Sequence, residues 1–245
     1  MSYVFEVVRS GPVTPNMFRV RLGGSSIAAL PADCAGGYLK LRIPTTEGKS
    51  ATRTYTIRAQ GPDYIDIDFA LHVAAELSGP ATAWALAARP GDTLEAGGPG
   101  PSKPLPEGHG SYIIAGDMTA LPAISVNLET LSDEARADAF VEVQSEDDIQ
   151  DLDVPRGVRL HWLVNPSPGA EPHLLENAIR ELTWPSDLSY AWVATEFKAM
   201  KNVRTYLRSE RSLSPQDLYI SSYWKRGLVE DDHRIVKSAD AKSDG

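Results

Sequence analysis

Arg53 and Tyr55 stand two residues apart in Arg53-Thr54-Tyr55-Thr56-Ile57-Arg58, a stretch whose Thr, Tyr and Ile favour a β-strand. A strand alternates its faces, so Arg53 and Tyr55 point one way and Thr54, Thr56 and Arg58 the other. A fixed cation and a flat ring on one face could hold a ligand that carries both a phosphate and a planar ring, such as a flavin nucleotide. The same residues would equally suit an exposed strand with a solvated Arg and a Tyr packed along its stem.

Other stretches offer partners for that chemistry. Gly79-Pro80-Ala81-Thr82 opens a helix, with Pro at the first helical position. The free amides and dipole of a helix start favour a phosphate, although a plain helix packed under the strands would read the same way. His72, a few residues earlier, is a candidate to line a cofactor. Gly116-Asp117-Met118-Thr119 follows an apolar strand, and Thr195-Glu196 follows another. Both are where ligands of open parallel sheets lie, outside the carboxyl ends of the strands. Ordinary turns, with Thr119 as a helix cap, would look alike. Ser222-Tyr223-Trp224-Lys225-Arg226-Gly227 joins two rings to two cations. It suits an aromatic cover and an anionic substrate, or else an amphipathic strand end. Gln144-Ser145-Glu146-Asp147-Asp148 would favour a ribose 2′-OH over a 2′-phosphate, hence NADH, whereas Arg204 and Arg208 would serve NADPH. No CxxC pair, HExxH or Walker loop is present, so no metal site is expected.

The elements that must position these residues fall into two sets. Up to residue 100 the chain reads as six short strands (Tyr3–Arg9, Met17–Leu22, Tyr38–Ile43, Arg53–Gln60, Tyr64–Leu71 and Thr93–Ala96) around one helix at Ala81–Ala88. Ile65, Ile67, Phe69 and Leu71 alternate with Asp66, Asp68 and Ala70, a half-buried strand of period two. This predicts a small antiparallel β-barrel. The Gly/Pro-rich run 97–108 predicts a crossover that holds neither a helix nor a central strand. After it, strands at Ser111–Ala115, Ala139–Gln144, Val158–Val164, Tyr190–Ala194 and Leu218–Ser222 alternate with helices at Leu121–Leu131, Leu174–Leu182 and Met200–Arg208. Apolar strands separated by helices predict a parallel α/β sheet. The expected division is a barrel domain at 1–100, a linker at 101–109, an α/β domain at 110–237 and a disordered tail at 238–245.

The chain has 245 residues, 42% of them hydrophobic, and a formal net charge of -9, which argues against nucleic-acid or anionic-membrane partners. Its one cysteine, Cys34, can form no internal disulfide. The first residues show no secretory signal and no run reaches the length of a membrane span, so a cytoplasmic location is expected.

Five segments, in order, resemble the siderophore-interacting protein family of the ferredoxin reductase-like flavoproteins. Arg53–Arg58 is similar to its RxYTxR strand, and Asp68-Phe69-Ala70-Leu71-His72 to its DFxxH strand end. Gly79–Ala85 is similar to its GPASxWA helix, Gly116–Ile124 to its GDETALPAI turn, and Tyr223–Gly227 to its YWxxG ending. The resemblance implies a FAD-binding barrel, an NAD(P)H-binding domain (NADH or NADPH, with ferredoxin as another donor), and reduction of ferric siderophores by a monomeric enzyme. It implies that Arg53 binds the FAD pyrophosphate with Gly79, Ala81 and Thr82. Tyr55 would pack on the flavin, Thr56 face its N5 edge and His72 line the pocket. Gly116, Asp117, Thr119, Thr195 and Glu196 would stand by the nicotinamide nucleotide. Cations Lys40, Arg42, Lys49, Lys225 and Arg226 would draw the substrate. Met118 stands where the family has an acidic residue, Val73 where it often has Gly, and Thr195-Glu196 where Gly-Glu is usual. Another flavin oxidoreductase with a different acceptor, or a non-enzymatic siderophore-binding protein, are the alternatives.

Overall fold

The structure, a computed structural model, describes residues 2–45, 50–71, 79–184, 189–228 and 230–243. Two compact units are present: Met1–Pro104 with Ser125–Asn127, and Leu105–Ile124 with Leu128–Gly245.

The first unit is a closed six-stranded antiparallel barrel. Its strands are β1 (Ser2–Thr14), β2 (Met17–Gly23), β3 (Tyr38–Pro44), β4 (Ser50–Gln60), β5 (Ile65–Ala70) and β6 (Thr93–Gly100). They close in the order β1-β2-β5-β4-β3-β6. Period two drives the closure: on β3, Leu39, Leu41 and Ile43 are fully buried while Lys40, Arg42 and Pro44 are exposed. Helix α1 (Pro80–Ala87) packs Ala81 and Ala85 into the same core.

Two strands depart from expectation. Asp66 and Asp68 on β5 are buried rather than facing solvent, because Arg21 and Arg19 lie directly opposite on β2 and cover them. Arg19 donates Nε and Nη2 to Asp68 at 2.6 and 2.7 Å, and Arg21 does the same to Asp66 at 2.8 and 2.7 Å. Residues 97–100, expected in a crossover, are instead the end of β6. Gly97 pairs with Ser2 of β1 on one side and Lys40 of β3 on the other. At Gly100 there is no room for a side chain beside the Tyr38 ring, since a Cβ would lie 2.1 Å from it. The glycines thus serve strand closure rather than a break.

The second unit is a five-stranded parallel sheet of order β11-β10-β7-β8-β9. The strands are β7 (Ser111–Asp117), β8 (Ala137–Val143), β9 (Val158–Val164), β10 (Ser189–Glu196) and β11 (Leu218–Trp224). Helices α2 (Leu121–Glu129), α3 (Leu174–Arg180), α4 (Phe197–Thr205) and α5 (Glu230–Ser243) follow β7, β9, β10 and β11. Strands β7 and β10 are buried along their whole length, as central parallel strands must be. The chain leaves β7 towards β8 and returns to β10 on its other side. The strand order therefore reverses between β7 and β10, and a ligand crevice belongs outside their carboxyl ends.

Helix α5 reaches Ser243, so residues 238–243 are helical rather than a tail. Its docking is polar, which is why no apolar pattern announced it. His233 meets the Ser222 hydroxyl at 2.9 Å, Lys237 donates to Ser221 Oγ at 2.7 Å, and Asp240 takes Arg204 at 2.7 and 3.0 Å. Among the described residues no helix is long and apolar enough to cross a membrane.

Candidate functional site

In the barrel, β4 pairs with β3 so that Tyr55 lies opposite Leu39 and Arg53 opposite Leu41. Directly opposed residues share a face, so Arg53 and Tyr55 lie on the side of these buried leucines. Both are half-buried, and Arg53 Nη1 donates to the Thr52 carbonyl at 2.8 Å. The Tyr55 ring rests on Phe69, centroid to centroid 4.4 Å, and Phe69 reaches Trp84 of α1 at 5.9 Å. This aromatic series ties the strand to the helix. Thr56 is half-buried on the opposite face of β4, across from Tyr38.

Helix α1 starts without a side-chain cap, without an acidic residue in its first turn, and with Pro80 at its head. The amides of Ala81 and Thr82 have no acceptor within the helix. Gly79 has φ -88° and ψ 174°, and a Cβ built on it meets none of the described residues within 4 Å. Its glycine is required neither by backbone conformation nor by packing against the described residues. Open space at an uncapped helix start, with a cation and a ring on a strand of the same unit, fits the pyrophosphate and ring of a flavin nucleotide. His72 and Lys49 lie outside the described residues. Lys40 and Arg42 are exposed on the outer face of β3, Arg42 with Glu95 at 2.9 Å.

In the parallel sheet, the end of β7 is drawn tight. A Cβ on Gly116 would lie 2.5 Å from the Ala194 carbonyl and 2.8 Å from Ile124, so glycine lets β10 and α2 close onto β7. The Asp117 carboxylate is buried and accepts five hydrogen bonds. Oδ1 takes Thr119 N at 2.9 Å and Thr119 Oγ1 at 2.5 Å. Oδ2 takes Thr195 Oγ1 at 3.0 Å, Glu196 N at 2.9 Å and Trp224 Nε1 at 2.8 Å. Glu196, also buried, caps α4 by accepting from Lys198 N at 2.5 Å and Ala199 N at 3.3 Å. Its other oxygen accepts from Arg226 N at 3.2 Å. Thus Asp117, Thr119, Thr195 and Glu196 are gathered in one place, with their side chains turned to internal partners.

Lys225 places its amine 4.6 Å over the Phe197 ring, and exposed Arg226 donates to the Pro168 carbonyl at 3.2 Å. Of the acidic turn after β8, Asp148 is fully buried and accepts from Ser145 N and Oγ, leaving Glu146 and Asp147 exposed. Met118, in place of an acidic residue, is buried and receives Gln144 Nε2 on its sulfur at 3.7 Å.

Sequence reasoning passed over Glu142. It is the one charge near the carboxyl end of β8, in Ala139-Phe140-Val141-Glu142-Val143, and a carboxylate in so apolar a strand was the available signal. It is buried and accepts from Asn165 Nδ2 at 2.8 Å. Burial, then the nearby charges of Asp117 and Glu196, outweigh the hydrogen bonds from Asn165 and the Gly169 backbone and push its pKa up to about 7.

A six-stranded antiparallel barrel joined to a parallel five-stranded sheet is the ferredoxin reductase-like architecture. The ferredoxin reductase of carbazole 1,9a-dioxygenase, in its FAD apo form, superposes with a TM-score of 0.69 at 16% identity over 92% of this chain and 67% of that one, a likeness of fold alone. Within that class, residues 44–103 match the siderophore-interacting FAD-binding domain and residues 109–227 the siderophore-interacting protein family. The ferric vibriobactin reductase ViuB of Vibrio cholerae is 34% identical over 93% of this chain and 91% of its own length. A siderophore utilization protein from T. fusca superposes with a TM-score of 0.85 at 32% identity over 96% of both chains. The chain belongs to the siderophore-interacting protein family and is a siderophore-related flavoprotein.

Proposed function

We propose that this chain is a FAD-dependent ferric-siderophore reductase that draws its electrons from NADH or NADPH and releases Fe(II) in the cytoplasm. The observation that carries the reading is that the FAD-binding match, residues 44–103, contains both the half-buried Arg53–Tyr55 pair and the uncapped start of α1. The two-way similarity to a ferric vibriobactin reductase supports the choice of substrate class. Arg53 and the amides of Ala81 and Thr82 hold the pyrophosphate, Gly79 lets it approach, and Tyr55 packs on the ring. Thr56, next to Tyr55 in the chain, would supply a hydroxyl near the ring.

When bound, FAD takes a hydride and gives electrons singly, which matches a two-electron donor to one-electron Fe(III). Siderophores hold Fe(III) with hard anionic oxygens and hold Fe(II) less tightly, so reduction frees the metal. Electron transfer of this kind needs no protein ligand to iron. Lys225 and Arg226 attract the anionic complex. At the dinucleotide side, Asp117, Thr195 and Glu196 contribute shape and backbone rather than free side chains. Glu146 and Asp147 remain exposed at the end of β8, while Arg204 is engaged by Asp240, which favours NADH over NADPH.

Anaerobic assay of the FAD-reconstituted protein tests the reading, with NADH or NADPH, a ferric siderophore and an Fe(II) chelator. Fe(II) should appear, faster with NADH. A flavin that is reduced but yields no Fe(II) from any siderophore would point to another acceptor. Failure to take up FAD at all would leave a non-enzymatic siderophore binder.

A further inference from the structure

We propose that Asp117 is the positioning residue of the dinucleotide side: it fixes Trp224 and the Thr195–Glu196 turn at the carboxyl ends of β7, β10 and β11, and acts through them. This rests on the reading that the second unit takes NAD(P)H. All five groups bonded to its carboxylate come as donors, from three separate chain segments. Two carboxylate oxygens offer about four lone-pair sites, so these partners already saturate it. A dinucleotide hydroxyl or amide would find no acceptor there.

The sheet itself is built to deliver Trp224 to this point. Strand β11 runs in register with β10 until Thr195 pairs with Ser222; the register then slips, and Glu196 pairs with Trp224 instead of Tyr223. One extra residue reverses the alternation of faces, which turns the next side chain to the opposite side of the strand. The indole N–H then meets Asp117 Oδ2 at 2.8 Å. The far edge of the ring lies against the loop after β9, where a Cβ on Gly169 would be only 3.1 Å from it. Gly169 has φ +70°, so a side chain there would be strained as well as crowded against the indole. The indole is therefore held at one edge by Asp117 and faced by a residue without a side chain, at the point where the strand order reverses.

The test compares the FAD-reconstituted wild type with Asp117→Asn, Trp224→Phe and the double variant. Asparagine presents either an N–H to the Glu196 and Trp224 donors or an N–H to the Thr119 amide, so it cannot reproduce the set. Each single variant should raise KM for the nicotinamide dinucleotide roughly tenfold, the scale of one hydrogen bond to a charged group. If Asp117 acts through Trp224, the double variant should be no worse than the worse single one. FAD occupancy should stay at the wild-type level. Independently of turnover, the indole N–H resonance that Trp224→Phe removes should be displaced in Asp117→Asn. Singles that multiply in the double variant, or an unchanged KM, would overturn the proposal. Should Asp117→Asn fail to fold, Trp224→Phe decides alone, and an unchanged KM overturns it. A wild-type flavin that neither NADH nor NADPH reduces removes the nicotinamide reading and this proposal together; normal wild-type reduction with indifferent variants removes this proposal only.

Discussion

Replacing Glu142 by glutamine removes a charge that the fold does not accommodate at high pH. In the folded protein the carboxyl holds its proton up to a pKa of about 7, against 4.5 when exposed. The folded state therefore binds more protons than the unfolded state between these values, and stability falls as pH rises through them. Below 4.5 both states are protonated and nothing is lost; above 7 the full cost is in place. At 1.36 kcal/mol per pKa unit, the loss between pH 4 and pH 8 is about 3 kcal/mol. Glutamine keeps the shape and an acceptor oxygen for Asn165 but carries no proton to lose. Denaturant unfolding of both proteins at pH 5 and pH 8 reads the difference. The variant should gain on the wild type by about 2 to 3 kcal/mol more at pH 8 than at pH 5. A gap that does not change with pH would refute the reasoning, as would a Glu142 carboxyl resonance that titrates near 4.5.

Three further perturbations follow from the same geometry. Gly79→Ala should leave thermal stability unchanged, since φ is ordinary and no described residue crowds the position, yet weaken FAD by tenfold or so if the backbone abuts the pyrophosphate; calorimetry of the apo protein with FAD measures both, and unchanged affinity would count against that placement. Gly116→Ala should do the reverse, costing roughly 1–3 kcal/mol of stability because the new methyl meets the Ala194 carbonyl, as read from the shift in unfolding midpoint. Burial, helped by Lys237 and Lys225, holds the His233 pKa down to about 4, so its contribution is intact above its usual 6.5 and is lost as pH falls towards 4. Limited proteolysis should release α5 more readily at pH 4.5 than at pH 7.5, and His233→Gln should flatten that dependence.

What was legible in the sequence was whatever a few adjacent residues decide. Six short strands, with period two plainest over Tyr64–Leu71, announced the barrel, and the apolar runs of β7 and β10 announced a parallel sheet. The order of five short motifs sufficed for the family. What stayed hidden depends on partners distant along the chain. Gly97–Gly100 looked like a break because glycine and proline weaken an isolated strand; between β1 and β3 they are what two neighbouring backbones and the Tyr38 ring leave room for. Helix α5 lacked an apolar stripe because it docks through His233, Lys237 and Asp240. Asp117 is the sharpest case. Its neighbours in sequence suggested a residue turned towards a ligand, yet its bonds to Thr195, Glu196 and Trp224 span 78, 79 and 107 residues. No local pattern encodes a carboxylate consumed by such partners. Nor could one show that Glu142, one strand over, would be pressed between burial and the Asp117 and Glu196 charges. The two acids thus divide the work by environment. The one given five donors serves as a fixed acceptor that organises three strand ends, and the one given only Asn165 and a backbone amide keeps its proton near neutrality.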